Sequence, residues 1–542
     1  VDYETRRAVQ LSQKYFRRTQ HSEGYWWGEL ESNPSMEAEY IMLCHFTGRH
    51  DKERWRKVSN FILSKQRDNG SWGQYYGSLG DVSTSVECYF ALKLAGHQVD
   101  SEPMLKAKEF ILSKGGVPKV RVFTKIWLAL FGQWDWKGTP NLPLEMIHLP
   151  SWAPFNIYEF ASWARATVVP MLIILAHKPR CPVPDSASID ELYPGGREST
   201  NYTLPKPSEG IGWAKALYWA DKLVGIYQKL PVRPFRGYTE RKIMNWILEH
   251  QEADGSWAGI QPPWVYSLIA LHTMGYGPDH EAVNRGFQGF ETFALEDEDT
   301  CAVQACISPV WDTCIAQLAL LESGVAPDDP MIQSSARWLI RKQIFATGDW
   351  QIRNKETRPG GWSFEFDNLM YPDIDDASIV VMALNQVSMP ATAERRRADA
   401  IKRGIEWISG MQSKNGGWAA FDKNNNKKDL TKIPCSDCGE TLDPPSVDVT
   451  AHILEMYGKL GYTKDNDDVK RGLKYVLREQ EENGSWFGRW GVNYIYGVGA
   501  VLPALEALGE DMSQNHVRRA IDWIIDHQNE DGGWGERCGS YV

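Results

Sequence analysis

The chain has 542 residues, is 42% hydrophobic, and carries 59 basic against 70 acidic side chains, for a net charge of −11. That length predicts two or three domains. The apolar content excludes a disordered chain, and the acidic balance argues against a general nucleic-acid binder. Nine scattered cysteines, odd in number, imply no disulfide framework and fit a reducing compartment.

The start, VDYETRRAVQ, shows no signal-peptide pattern and lacks an initiator Met, which reads as a clipped start. A repeat then begins. YFRRTQHSEGYWWG and FILSKQRDNGSWG each run aromatic, apolar residues, Gln, a polar turn with Gly, and Trp. The glutamines are Gln20, Gln66, Gln251, Gln343, Gln412, Gln480 and Gln528; the paired tryptophans are Trp26, Trp72, Trp257, Trp350, Trp418, Trp486 and Trp534. FILSKGG at Phe110 is a degenerate copy. The apolar spacing before each Gln is helical, and the Asn-Gly or Asp-Gly step is a helix stop. Each Gln is expected in a last helical turn, bonding backbone groups of the next copy, with the Trp stacked over that turn.

Between copies come amphipathic helices: SVECYFALKLAG, VYSLIALHTMG, WDTCIAQLALLESG and VDVTAHILEMYGKLG. Convincing strand patterns are few. The class is therefore all-α, built from helix pairs that stack or close into rings. The apolar run VVPMLIILAH from Val168 is about half the roughly 20 residues a spanning helix needs. The stretch from Cys181 to Gly210, rich in Pro, Ser and Gly, reads as a long surface loop. ALEDEDT, with Glu296 to Asp299, reads as a solvated acidic loop. The polar stretch after Trp418 is expected to be a loop near a functional opening, and its Cys435 and Cys438 form a lone CxxC that reads as packing rather than a zinc or redox site.

YPDIDDASIVVMAL places Asp373, Asp375 and Asp376 before an apolar run. One Asp there is an N-cap, and acids in a first turn suit the helix dipole. Three exceed what a cap requires. Crowded carboxyls cannot all ionise, and one held protonated beside an apolar cavity is a general acid. Structure and chemistry remain even alternatives on the pattern alone. A second helix start marked by Pro, DPPSVDVTAHILEMYG, offers Asp448 and His452 four apart on one face, although a lone His is more often structural. Trp163, Trp311, Phe364, Phe366, Trp490 and Tyr496 are candidate pocket aromatics whose faces stabilise cations; singly, each also fits a core. An acid with aromatic walls in a dry cavity suits protonation of an alkene and guidance of the carbocation.

Together these residues resemble the squalene–hopene cyclase family of triterpene cyclases. The Gln-to-Trp copies are similar to its QW repeats, and Asp373-Ile374-Asp375-Asp376 to its DxDD acid motif. NIYEFASWARATVV, DGSWAGIQPPWVYSLIAL, ISPVWDT and GSWFGRWGVNYIYG extend the likeness along the chain. The resemblance implies two α/α barrels, one inserted in the other, divided here as an N-terminal segment 1–15 packing with the catalytic barrel, an inserted barrel 16–280, and a catalytic barrel 281–542. It implies proton delivery by Asp375, tuned by Asp373 and Asp376, with His452 strengthening the acid and Tyr496 in the surrounding network. Trp311, Phe364, Trp163 and Trp490 would line the cavity and stabilise cations, together with Phe366. Gln261 would hold water where the last cation is quenched. Relatives often carry bulkier aromatics where Cys435 and Cys438 stand; with Phe421 these residues are expected to shape the cavity and the product.

The implied reaction is cyclisation of squalene to hopene or hopanol without metal or cofactor. It would occur at the cytoplasmic face of a bacterial membrane, by a monotopic and often dimeric enzyme, with no nucleic-acid partner. IGWAKALYWADKLVGIYQKLP from Ile211 is the candidate membrane-facing patch, a plain buried helix being the alternative. The family pattern continues beyond GGWGERCGSYV, so the catalytic barrel is expected to be incomplete at its C-terminus. A diterpene or longer-polyprene cyclase using DxDD is the first rival reading. An α/α-barrel sugar-binding protein or glycosidase, or a helical scaffold, come after it. Detergent dependence and metal independence separate the cyclase from all of these.

Overall fold

The computed structural model describes residues 3–203, 213–228, 235–427 and 441–541. It is 55% helix and 3% strand, which settles the all-α class. Cα packing divides it into two compact units. One comprises 1–29, 307–426 and 443–542; the other comprises 30–306 and 427–442, and so is inserted in the first. The divisions fall at 29/30 and 306/307, where the sequence pattern put them at 15/16 and 280/281. The reason is local. Helix α1 (Tyr3–Thr19) runs into the first Gln–Trp copy. Gln20 Nε2 donates to Met331 O at 3.0 Å, and Trp26 N to Thr313 Oγ1 at 3.0 Å, which ties that copy to the later helices.

The inserted unit holds α2 (Ser35–Phe46), α3 (Lys52–Ser64), α4 (Val82–Leu94), α5 (Glu102–Ser113), α6 (Val122–Leu130) and α7 (Ser162–His177). It continues with α8 (Trp213–Tyr227), α9 (Arg236–Glu249), α10 (Gln261–Thr273) and α11 (Glu281–Phe293). Helices α2, α4, α7 and α10 are apolar on nearly all sides and buried, as inner helices must be. Two short hairpins, β1 (Trp72–Gly73) with β2 (Gly80–Asp81) and β3 (Ala294–Glu296) with β4 (Cys301–Val303), complete it. ALEDEDT is thus no free loop: Glu296 pairs with Arg54 and Lys57 on α3, and Asp297 closes the hairpin turn. The stretch after Cys181 is also more than a surface loop, since Ile189 and Leu192 are fully buried and Glu191 pairs with Lys93. Its apolar residues dock despite a loop-like composition.

The other unit holds α12 (Pro309–Glu322), α13 (Pro330–Arg341), α14 (Ile374–Asn385), α15 (Ala391–Met411), α16 (Val447–Lys459), α17 (Asp467–Arg478), α18 (Asn493–Ala507) and α19 (Asn515–Asp526). Inner helices α12, α14, α16 and α18 pack side by side, while α13, α15, α17 and α19 lie outside with one apolar stripe each. The inner helices therefore start at one end of this row, and the side chains of their first turns gather there. Among the described residues no helix is long and apolar enough to cross a membrane.

The repeat is a brace with a fixed bonding pattern. Gln412 Nε2 donates to Gly416 O at 2.8 Å and to Asp468 O in the first turn of α17 at 2.9 Å. Trp418 Nε1 donates to Ile408 O at 2.7 Å, in the last turn of α15. Each copy so joins one helix end to the next helix start, satisfying carbonyls that both termini would leave unpaired. Gly416 sits at φ +96°, and a Cβ there would lie 2.4 Å from Arg471 O. That close approach is why the turn carries glycine. The same bonds recur at Gln66–Trp72, Gln251–Trp257 and Gln480–Trp486. The Trp acts through its N–H and its burial rather than by stacking over the turn. One assignment needs correction. Gln343 donates to Gly360 O, 17 residues on, and the indole that donates to α13, at Leu339 O, is Trp362. Trp350 lies on a short helical turn within a longer loop.

Candidate active site

Asp373 caps α14. Its Oδ1 accepts from the Asp375 and Asp376 backbone N–H groups at 2.8 and 3.1 Å. Its own N–H donates to Trp362 O, and that of Ile374 to Ala420 O, both at 2.7 Å. The start of the acid helix is thereby pinned between two repeat turns. All three aspartates are buried, and every residue of α14 except Asn385 is buried behind them. Asp373 is the cap that the pattern allows, and two more carboxyls project from the same turn.

Asp375 Oδ1 lies 2.8 Å from His452 Nδ1, which projects from the second turn of α16. Burial draws the imidazole toward neutrality, but the charge of Asp375 and this hydrogen bond override it and raise His452 to about 9. Asp373 and Asp376 are each pushed well above the usual carboxylate range, by burial first and then by neighbouring acids. Asp376 Oδ1 is buried with no hydrogen-bond partner among the described residues. Three carboxyls thus share one imidazolium and one helix N-terminus. The cluster retains a proton at neutral pH, and that proton belongs to the coupled group.

Two aromatic rings lie beside the imidazole of this cluster. The Trp311 ring, on the first turn of α12, lies 6.2 Å from the His452 ring, and the Tyr496 ring, on α18, lies 6.0 Å away nearly perpendicular. Burial and then the Asp375 charge raise the Tyr496 phenol, so it stays protonated and able to donate. Phe421 and Trp490 meet edge to face at 6.0 Å. Phe364 is tied to α12 through its carbonyl, which accepts from Val310 N at 3.3 Å. Phe366 packs elsewhere, against Tyr25, Trp27 and Trp338. Trp163, on the first turn of α7, and Gln261, the first residue of α10, belong to the inserted unit. Gln261 is fully buried, donates to Met36 O at 2.7 Å, and keeps its Oε1 buried without a partner among the described residues. Cys435 and Cys438 lie outside the described residues.

Two acids hold the aromatic turns. Asp448 is fully buried and does not bond His452. Its Oδ2 accepts from the backbone N–H groups of Arg489 and Trp490, at 2.9 and 2.7 Å. Asp443 does the same for Phe421 and Asp422, at 2.7 and 2.9 Å, and burial raises it to about 7. Asp443 was missed in the sequence, although it directly precedes the Pro-Pro step. A further group was also missed: Glu37, Glu39 and Glu87 on inner helices of the inserted unit. Burial raises Glu37 and Glu39 to about 8, and Arg121 pairs with Glu87. The only sequence signal was acids spaced within apolar helical runs.

The chain matches the squalene-hopene cyclase N-terminal domain over residues 9–299 and its C-terminal domain over 307–542. A squalene–hopene cyclase of Alicyclobacillus acidocaldarius is 48% identical over 99% of this chain and 84% of its own length. A squalene–hopene cyclase of Zymomonas mobilis is 36% identical over 98% and 82%, and a dammaradiene synthase of Dryopteris crassirhizoma 40% over 92% and 73%. Among solved structures, the ent-copalyl diphosphate synthase of Streptomyces platensis shares the fold at TM-score 0.50 and 15% identity, over 98% of this chain and 85% of that one. With an acid cluster, a paired imidazole and two neighbouring aromatic rings in place, and both domains matched in order, the chain is an enzyme of the squalene–hopene cyclase family.

Proposed function

We propose that the protein cyclises squalene to a pentacyclic hopene or hopanol by protonating a terminal double bond. The observation that carries this is the buried contact of Asp375 with His452 beside two further carboxyls of raised proton affinity. Asp375 is the donor. An imidazolium on one of its oxygens stabilises the carboxylate left behind, which strengthens the acid. Asp373 fixes the helix start, and Asp376 keeps the local charge from falling further. The π electrons take the proton and a tertiary cation forms. Water is excluded, and the faces of Trp311, Phe364, Phe421 and Trp490 stabilise positive charge as it migrates along the chain. Tyr496 donates within the acid network. Trp163 stabilises a later cation, and Gln261 holds the water that quenches the last one.

The substrate dissolves in lipid, so the enzyme works at a membrane surface. Trp219, Leu223 and Ile226, all exposed, repeat along one face of α8 and supply a greasy docking patch with Lys222 next to it in the helix. A cytoplasmic membrane face and a homodimer complete the reading. The test is squalene incubated with detergent-solubilised protein and a chelator, analysed by gas chromatography–mass spectrometry. A cyclic product that disappears in Asp375→Asn supports the reading. Unchanged squalene, with turnover of a prenyl diphosphate in magnesium instead, overturns it.

A further inference from the structure

An acid that starts a cation–olefin cyclisation ends each turnover without its proton. The O–H bond of Asp375 breaks, a C–H bond forms at the alkene carbon, and the carboxylate remains. The proton released when the last cation is quenched leaves at the other end of the substrate. Repeated turnover therefore requires a route from water back to Asp375.

His452 gives that route its first step. Its Nδ1 is committed to Asp375 Oδ1 at 2.8 Å, which leaves Nε2 as the ring's other proton site. Glu455 stands one helical turn further along α16, on the face of His452, because positions i and i+3 are neighbours. It is half-buried. The charged groups that act on it are His452 and Lys459 on α16, Glu506 on α18 and Glu322 at the end of α12; the last three are exposed. From Asp375 to these ends the sequence runs buried acid, largely buried imidazole, half-buried carboxyl, exposed charges. It leads from the N-terminal to the C-terminal ends of the inner helices. Burial, then Glu506 and Glu322, raise the Glu455 carboxyl above its ordinary range, against the pull of His452 and Lys459.

We infer that Glu455 returns the proton to Asp375 through His452, drawing it from water at the C-terminal ends of the inner helices. The Nδ1 proton of the imidazolium passes to Asp375 Oδ1, leaving an imidazole protonated at Nε2. Tautomer exchange through water returns that proton to Nδ1, Glu455 then gives its own proton to Nε2, restoring the imidazolium, and a solvent proton refills Glu455. Glu455 touches neither substrate nor the reacting atoms; it is a positioning residue for the proton. This rests on the squalene-cyclase reading above.

The test is Glu455→Gln, mixed rapidly with squalene in detergent micelles and followed through the first and later turnovers. The first turnover uses the proton already held by the acid cluster. It is expected at the wild-type rate, with one product per enzyme, followed by a steady state about 10-fold or more slower, with KM lowered in proportion and kcat/KM unchanged. Added formate is expected to restore the slow phase in part, and Glu455→Asp to lie between. An unchanged steady state, or a first turnover slowed as much as later ones in a folded variant, overturns the inference. If Glu455→Gln loses its melting transition, the Asp variant decides by the same burst. Wild-type protein that leaves squalene untouched overturns the cyclase reading, and the inference with it.

Discussion

His452 titrates according to its partner, and replacing that partner tests the electrostatics of the site directly. In the folded protein the imidazole is raised from 6.5 to about 9. At about 1.36 kcal/mol per unit, this is about 3 kcal/mol of preference for the imidazolium. The side chain is only 13% exposed, so solvent screens little of it. Burial acts the other way and is the largest single influence; Asp375 overcomes it by charge and hydrogen bond, with weaker help from Asp448 and Glu455. In Asp375→Asn the charge is gone and the burial stays. His452 is then expected at or below 6.5. Because the folded value is raised, the stability this pair contributes is fully present below about pH 6.5 and is lost as pH rises through about 9. Nitrogen-15 NMR of histidine-labelled protein, titrated from pH 5 to 10 in wild type and Asp375→Asn, reads both values. A resonance titrating near 6.5 in both proteins refutes the reasoning, since Asp375 would then not hold a charged partner.

Two other outcomes follow from the geometry. Trp362→Phe keeps most of the buried ring but leaves Leu339 O without its donor, at a cost of about 1–3 kcal/mol. Trp350→Phe, whose indole N–H has no partner among the described residues, is expected to cost less than about 1 kcal/mol; thermal unfolding of the pair decides which Trp completes the brace. Asp448→Asn exchanges a carboxylate for a neutral acceptor beneath Arg489 and Trp490. Charged hydrogen bonds contribute about 1.5–3 kcal/mol, so those two amides are expected to exchange with deuterium about 10-fold or more faster; unchanged exchange would show that Asp448 does not hold the turn.

Much of this was legible in the sequence for a physical reason. A brace that joins helix ends needs a donor, a tight turn and a buried indole at fixed spacing, so seven copies announce themselves. Asp373, Asp375 and Asp376 stood out because three acids exceed a cap. The copy at Gln343 was misread because Trp350 falls near the usual distance while the turn that bonds Gln343 comes after a loop. The unit boundary was placed early because the first copy looks like the others, and only its bonds to Met331 and Thr313 assign it. Asp443 and Asp448 act on backbone N–H groups distant in sequence, which leaves no local pattern. Glu37, Glu39 and Glu87 were hidden because burial, not spacing, makes them unusual.

The central claim is that Asp375 gives its proton to an alkene carbon. Protein equilibrated in heavy water and turned over on unlabelled squalene, with a chelator present, tests it most directly. The account predicts one non-exchangeable deuterium per product molecule, in the ring methylene next to the geminal dimethyl carbon of the first ring, and no product from Asp375→Asn. A cyclic product without that deuterium, or undiminished product from the Asn variant, would contradict it.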